Sequence, residues 1–189
     1  MSGAFNVIPE PAFGSSAPLE WLSACNARLL QHCASLRRLG MYLSKVGLDS
    51  EARAALEALL HFFDQVLPLQ HADEEEDLFP ALLEAMAGSD ALCIHEMAQG
   101  LTVEHREARR LWEQLRPVVS RVASGAAASL PLETIEKFIA VCHNAAAREQ
   151  GELLPMADRL LADQQLDDMA ASMRRRRAAQ PPPSPAVPR

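Results

Sequence analysis

Between positions 18 and 172 apolar residues recur at steps of three and four, and no run of alternating β-branched residues interrupts them. Ala, Leu, Glu, Arg and Gln are abundant throughout, as a helical chain requires. The first stripe joins Leu22, Cys25, Leu29, His32, Leu36, Leu39, Leu43 and Val46, and Gly47 supplies its C-terminal stop. The second, capped by Asp49 or Ser50, joins Leu56, Leu60, Phe63, Leu67, His71, Glu75, Leu78 and Leu82 before Gly88 ends it. Pro68 removes a backbone donor inside this helix and predicts a kink just ahead of His71. A third helix opens near Asp90 and aligns Ile94, Ala98, Leu101, His105, Ala108, Trp112 and Leu115, with a weak point at Gly100 and a bend at Pro117. Ser129 and Pro131 open the fourth, whose inward positions are Ile135, Phe138, Cys142, Ala145, Glu149 and Met156. Short connections between long helices favour antiparallel neighbours, so the predicted fold class is all-α, an up-down-up-down antiparallel four-helix bundle over 18–172.

That pattern turns attention to polar residues on inward stripes, because burying one without a partner costs about 1–3 kcal/mol. Four stand out: His71 and Glu75 on the second helix, His105 on the third and Glu149 on the fourth. His71 and Glu75 are four apart and share a helix face, so they can converge on one ion. Two imidazoles and two carboxylates from three helices form a mixed N/O set that suits Fe, Mn or Zn better than Ca or Mg. Taken singly, each has an ordinary alternative: a hydrogen-bonded core histidine, or a solvated acid. Taken together they point to a cation, because no Lys or Arg shares their seams. In the run of acids Asp73 to Asp77, the α-helical period turns Glu75 inward, leaves Asp73, Glu76 and Asp77 as solvated charges and puts Glu74 at the boundary. His32 is a further candidate on the first seam; His61, His95 and His143 fall off the inward stripes, and Cys142 reads as a small core residue.

Composition narrows the function classes. The chain of 189 residues is long enough for one domain with a real core. Its net charge of −7 contains a strongly basic end: with the five arginines of 173–189 set aside, 13 Lys and Arg face 25 Asp and Glu, a net −12. A body of that charge argues against phosphate-backbone binding, so no nucleic-acid partner is expected. The four cysteines lack C-x-x-C spacing and read as reduced thiols, which predicts a cytoplasmic protein. No segment offers eighteen uncharged apolar residues, and 1–17 carries no basic, apolar leader pattern, so neither a membrane span nor a signal peptide is expected. Residues 1–17 read as an irregular arm, and RRRRAAQPPPSPAVPR as part of a disordered tail over 173–189.

Particular strings carry a resemblance. HADEEEDLFP at 71–80, EHREARRLW at 104–112 and REQGELLPMADRLL at 148–161 resemble the second, third and fourth helix segments of bacterial hemerythrin-like (HHE cation-binding) domains, and MAASMRRRR at 169–177 is similar to the basic close of some members. The resemblance implies a four-helix bundle holding non-haem iron, with His71 and His105 as terminal ligands and Glu75 and Glu149 as bridging carboxylates. Several positions depart from it. Asn26, in SACNARLL, and Ala145, four before Glu149, stand where the family has histidine; Gln70 and Leu101 replace histidines found in some members. The expected cofactor is therefore one or two Fe ions, with Mn or Zn as alternatives, in a reduced ligand set with no reversible oxygen carriage. The function implied is binding, in which the protein stores or senses metal, O2 or NO. A metal-free structural or interaction bundle is the alternative. An oxidase is a weaker third reading, since no substrate pocket is specified.

Overall fold

The computed structural model describes residues 17–86 and 91–179. Among them there is no strand, and the helices form five rods. The first is α1 (Pro18–Lys45), which starts on Pro18 and is followed by Gly47 at φ +90°, a left-handed position suited to glycine. The second begins with α2 (Ser50–His61). Asp49 caps it by accepting a 2.8 Å bond from the Ala52 amide.

The second rod then continues without a break through a π-helical turn at Phe62–Val66, α3 (Leu67–Ala72), a second π-turn at Asp73–Leu78, and α4 (Phe79–Ala85). α5 (Ala91–Ala123) forms the third rod and carries Pro117 inside it. α6 (Leu132–Arg148), a third π-turn at Glu149–Leu153 and α7 (Leu154–Leu160) make the fourth. α8 (Asp163–Ala178) is a fifth rod.

Each π-turn stops two residues before a proline: Pro68, Pro80 and Pro155 are the second residues of α3, α4 and α7. A proline inside a helix lacks the N–H for the preceding turn, and its ring presses on the carbonyl four residues back. One extra residue in that turn relieves the clash while the rod goes on. At Pro68, where the sequence predicted a kink, the helix carries a wide π-helical turn.

α1 packs against α2 and α6, and α5 packs against α2 and α6, so the four main rods close a ring. The α1 stripe from Leu22 to Leu43 is buried as its spacing requires, whereas Val46 is exposed. The interior falls into two apolar clusters. One gathers Leu29, Leu36, Phe62, Phe63, Trp112 and Phe138; the other gathers Trp21, Leu22, Leu78, Leu82, Leu101 and Ala157. Each of the four main rods contributes buried polar residues to a layer in the interior: Asn26 on α1, Gln70, His71, Asp73 and Glu74 on the second rod, His105 on α5 and Glu149 on the fourth.

Helical order runs past the expected boundary at 172. Residues 173–178 belong to α8, not to a disordered tail, because Arg176 and Arg177 find carboxylates on the second rod. The remainder of that predicted tail (180–189), most of the predicted arm (1–16), and the helix stop and start read at Gly88 and Asp90 lie outside the described residues. None of the described helices is long and apolar enough to cross a membrane.

Candidate metal centre

The polar layer converges on His105. This imidazole, 1% exposed, projects from α5 between the second and fourth rods. Its Nε2 lies 3.3 Å from Glu149 Oε1 and 3.3 Å from Glu74 Oε2. Its Nδ1 lies 2.8 Å from Glu75 Oε1. Glu74, His105 and Glu149 each offer one donor atom, all within 4.8 Å of one another, and all three residues are buried. Two amides brace the carboxylates: Asn26 Nδ2 donates to Glu149 Oε2 at 2.7 Å, and Gln70 Nε2 donates to Asn26 Oδ1 at 2.7 Å and to Glu74 Oε1 at 3.1 Å. Glu74 Oε2 has no hydrogen-bond donor.

His71 is buried too, but it lies flat on His105, with ring centroids 3.9 Å apart and planes 5° from parallel. Of the four residues expected to hold an ion, the structure therefore brings together His105 and Glu149. It sets His71 against the back of the cluster and Glu75 on the outer nitrogen of His105. The inward carboxylate is Glu74, which had been placed at the boundary. The reason is local: an α-helical period pairs His71 with Glu75, but inside the second π-turn the 3.6-residue rule no longer holds, and the pair that faces the centre is Gln70 and Glu74.

Asp73, expected to be solvated, is fully buried as well, and Arg176 and Arg177 hold its carboxylate. Ala145 is buried in the apolar cluster beside the centre, and Leu101 likewise, so neither supplies a donor. His32 sits in the other half of the molecule, stacked on Phe62 at 3.9 Å.

Electrostatics follow from burial and partners. Burial raises the Glu74 carboxyl well above its ordinary range, and the nearby Glu149 charge pushes the same way. Burial alone would lower His105, but hydrogen bonds to Glu149 and Glu75 and the charge of Glu74 outweigh it and lift the imidazole to about 10. Burial holds His71 well below its ordinary value, helped by the His105 charge, so this ring is neutral against a charged one. Both raised groups, Glu74 and His105, hold their protons more tightly than they would in water.

The donor set fits a transition ion. When Nδ1–H donates to Glu75, the Nε2 lone pair of His105 is turned toward the two carboxylates, the arrangement in which an outer carboxylate orients a metal-binding imidazole. The donor-less Glu74 Oε2 aims at the same point, and a buried carboxylate oxygen in that state calls for a cation.

Among the described residues the chain is all-helical, and a buried carboxylate–imidazole cluster that could hold a metal ion lies between its facing helices, as in bundles that build such sites in their cores. A family model described as the hemerythrin HHE cation binding domain matches residues 17–157, and the chain belongs to that family. An uncharacterized protein of Haemophilus influenzae is 29% identical to it over 156 residues, which cover 82% of this chain and 87% of that protein.

Proposed function

We propose that the protein is a hemerythrin-like metal-binding protein that holds one transition ion through Glu74, Glu149 and Nε2 of His105, on an antiparallel four-helix bundle extended by α8. The observation that carries this reading is the convergence of three buried donors on one point with a carboxylate oxygen left without a donor. An N/O set of this kind takes Fe(II), and Mn(II) or Zn(II) by the same chemistry. The bound ion would supply a Lewis-acidic centre with positions open to water or to a diatomic ligand such as O2 or NO. The chain's own residues do the rest. Glu75 keeps the His105 tautomer, Asn26 and Gln70 hold the carboxylates, and His71 and Phe79 keep an apolar wall on the His105 ring. The role in this reading is storage or sensing of metal, O2 or NO, and the setting read from the sequence is the cytoplasm.

A second reading rests on a different observation: Asn26, Gln70 and a protonated His105 already give the carboxylates donors, as a metal-free bundle needs. Calorimetric titration of untagged, metal-free protein with Fe(II) under anaerobic conditions, and with Mn(II) and Zn(II), separates the two. The metal-binding reading expects uptake of one ion with a rise in melting temperature, both lost in Glu149→Gln and in His105→Ala. Absence of uptake of any of the three ions leaves the metal-free reading standing.

A further inference from the structure

Asp73 and Glu74 are consecutive, both are buried to within 1% of complete, and they point to different parts of the molecule. Glu74 faces His105 and Glu149. Asp73 faces α8, where Arg176 Nη1 donates to its Oδ1 at 2.5 Å, and Arg177 donates from Nη1 to Oδ1 at 3.1 Å and from Nη2 to Oδ2 at 2.5 Å. Arg177 is anchored from two further sides, by the Met173 carbonyl at 3.0 Å and by the Trp21 ring of α1, 5.0 Å from its guanidinium carbon. Arg176 reaches Asp77 at 2.8 Å and Glu76 at 2.9 Å in the same π-turn. Two arginines on the last helix therefore hold three of the six residues of the turn that presents Glu74.

A π-turn carries one residue more than the helix around it, and that surplus can be taken up at neighbouring positions. Shifting it by one position rotates the intervening side chains by about 100°. At this turn such a rotation would replace Glu74 at the centre with a neighbouring side chain. A fully buried carboxylate stays where it is only while its cations stay with it, because an unpaired buried charge is strongly destabilising. With Asp73 tied to α8, Glu74 can only face His105.

We propose that Asp73, Arg176 and Arg177 are positioning residues of the metal centre: α8 locks the second π-turn in the register that delivers Glu74. The family match ends at residue 157, before α8 begins, so this contribution comes from outside the matched domain. The proposal rests on Glu74 being a ligand, and its test can fail separately from that assignment.

The test uses the full chain and compares wild type with Arg177→Met and the isosteric Asp73→Asn. Fe(II) and Mn(II) affinities are measured by anaerobic calorimetry well below each variant's melting temperature, and the ¹⁵N shifts of the His105 ring are recorded in metal-free protein. Both variants are expected to lose about ten-fold or more in affinity, the scale for residues that orient ligands. In a Glu74→Gln background Arg177→Met should cause no further loss, and the His105 shifts should move in both single variants. Lower melting temperatures with wild-type affinity and unmoved His105 shifts would overturn the proposal. If wild-type protein takes up no metal while the His105 shifts still respond to Arg177→Met, the positioning stands and the metal assignment falls.

Discussion

The second rod widens twice, and the two wide turns hold opposite contents. The turn at Phe62–Val66 rotates Phe62 and Phe63 into an apolar layer with Trp112 and Phe138. The turn at Asp73–Leu78 rotates Asp73 and Glu74 into the same interior, one toward arginines and one toward an imidazole. The backbone device is shared, and so is its cause in the proline that follows. Phe62, Glu74 and Glu149 each stand six residues before Pro68, Pro80 and Pro155, at or next to the start of their turns. The proline decides that a side chain is turned inward; the identity of that side chain decides whether the layer is core or site.

The comparison breaks most forcefully at Phe138. This ring, 0% exposed, packs on Phe63 at 5.0 Å and on Trp112 at 5.9 Å, in the apolar cluster that also holds Leu29 and Leu36. Phe138→Ala should cost about 3–5 kcal/mol in urea unfolding, through lost burial and the cavity left behind. The folded variant should still bind metal with wild-type stoichiometry. A loss of binding in protein shown to be folded would mean that the two layers are not separable.

Acid sharpens the same contrast. His32 stacks on Phe62 in the other half of the molecule, and burial there, aided by the Arg28 charge, pulls its imidazole down to about 4. The folded value is the depressed one, so above the unfolded pKa of about 6.5 neither state is protonated and His32 costs nothing. Between about 6.5 and 4 the unfolded chain takes a proton that the folded chain refuses, so stability falls with pH and levels off below 4. The full difference is about 3 kcal/mol. His32→Leu should flatten this part of the stability–pH curve, measured by denaturant unfolding between pH 7 and 4, and an unchanged slope would remove His32 as its source.

These two tests also mark what could be read from residues alone. Three of the four apolar stripes were legible, and so was the cap at Asp49, because a regular α-helix repeats at 3.6 residues and leucines report that period faithfully. The burial of His105 and Glu149 was legible for the same reason: each lies in register with the buried residues before it. Glu74 was not, since the α-helical period runs straight through 73–78 and selects Glu75. A signal was nevertheless present. Counting six residues back from Pro155 gives Glu149, and the same count from Pro80 gives Glu74, not Glu75. The helical 173–178 segment was hidden for a different reason: a run of arginines looks solvated until the buried Asp73 that it answers is located in space.

At the polar layer the effect becomes conditional on metal. With free ion at about a hundred times its dissociation constant, binding should stabilise the folded protein by about 2.7 kcal/mol. Glu149→Gln should abolish that increment in a thermal melt, and the metal-free variant should unfold no earlier than metal-free wild type, because one buried carboxylate has been removed from beside another. If the increment survives in Glu149→Gln, the ion is held elsewhere.

The smallest effect belongs to an arginine that resembles Arg177 on paper. Arg37 of α1 donates to Glu136 of α6 through Nε at 2.6 Å and Nη2 at 2.5 Å, also a two-pronged contact. Its side chain is 45% exposed and that of Glu136 52%, whereas Asp73 is 0% exposed. In water both charges are already solvated, and holding two long side chains in one geometry costs rotamer freedom that offsets the attraction. Arg37→Ala should therefore leave the melting temperature and the metal affinity at wild-type values, with at most a small change that disappears in high salt. Both bridges are two-pronged Arg–carboxylate contacts, and they differ most in burial, although Arg177 also shares Asp73 with Arg176. A destabilisation by Arg37→Ala comparable to that of Arg177→Met would show that α1 and α6 are held from outside by charge, not from within by the leucines and Phe138 between them.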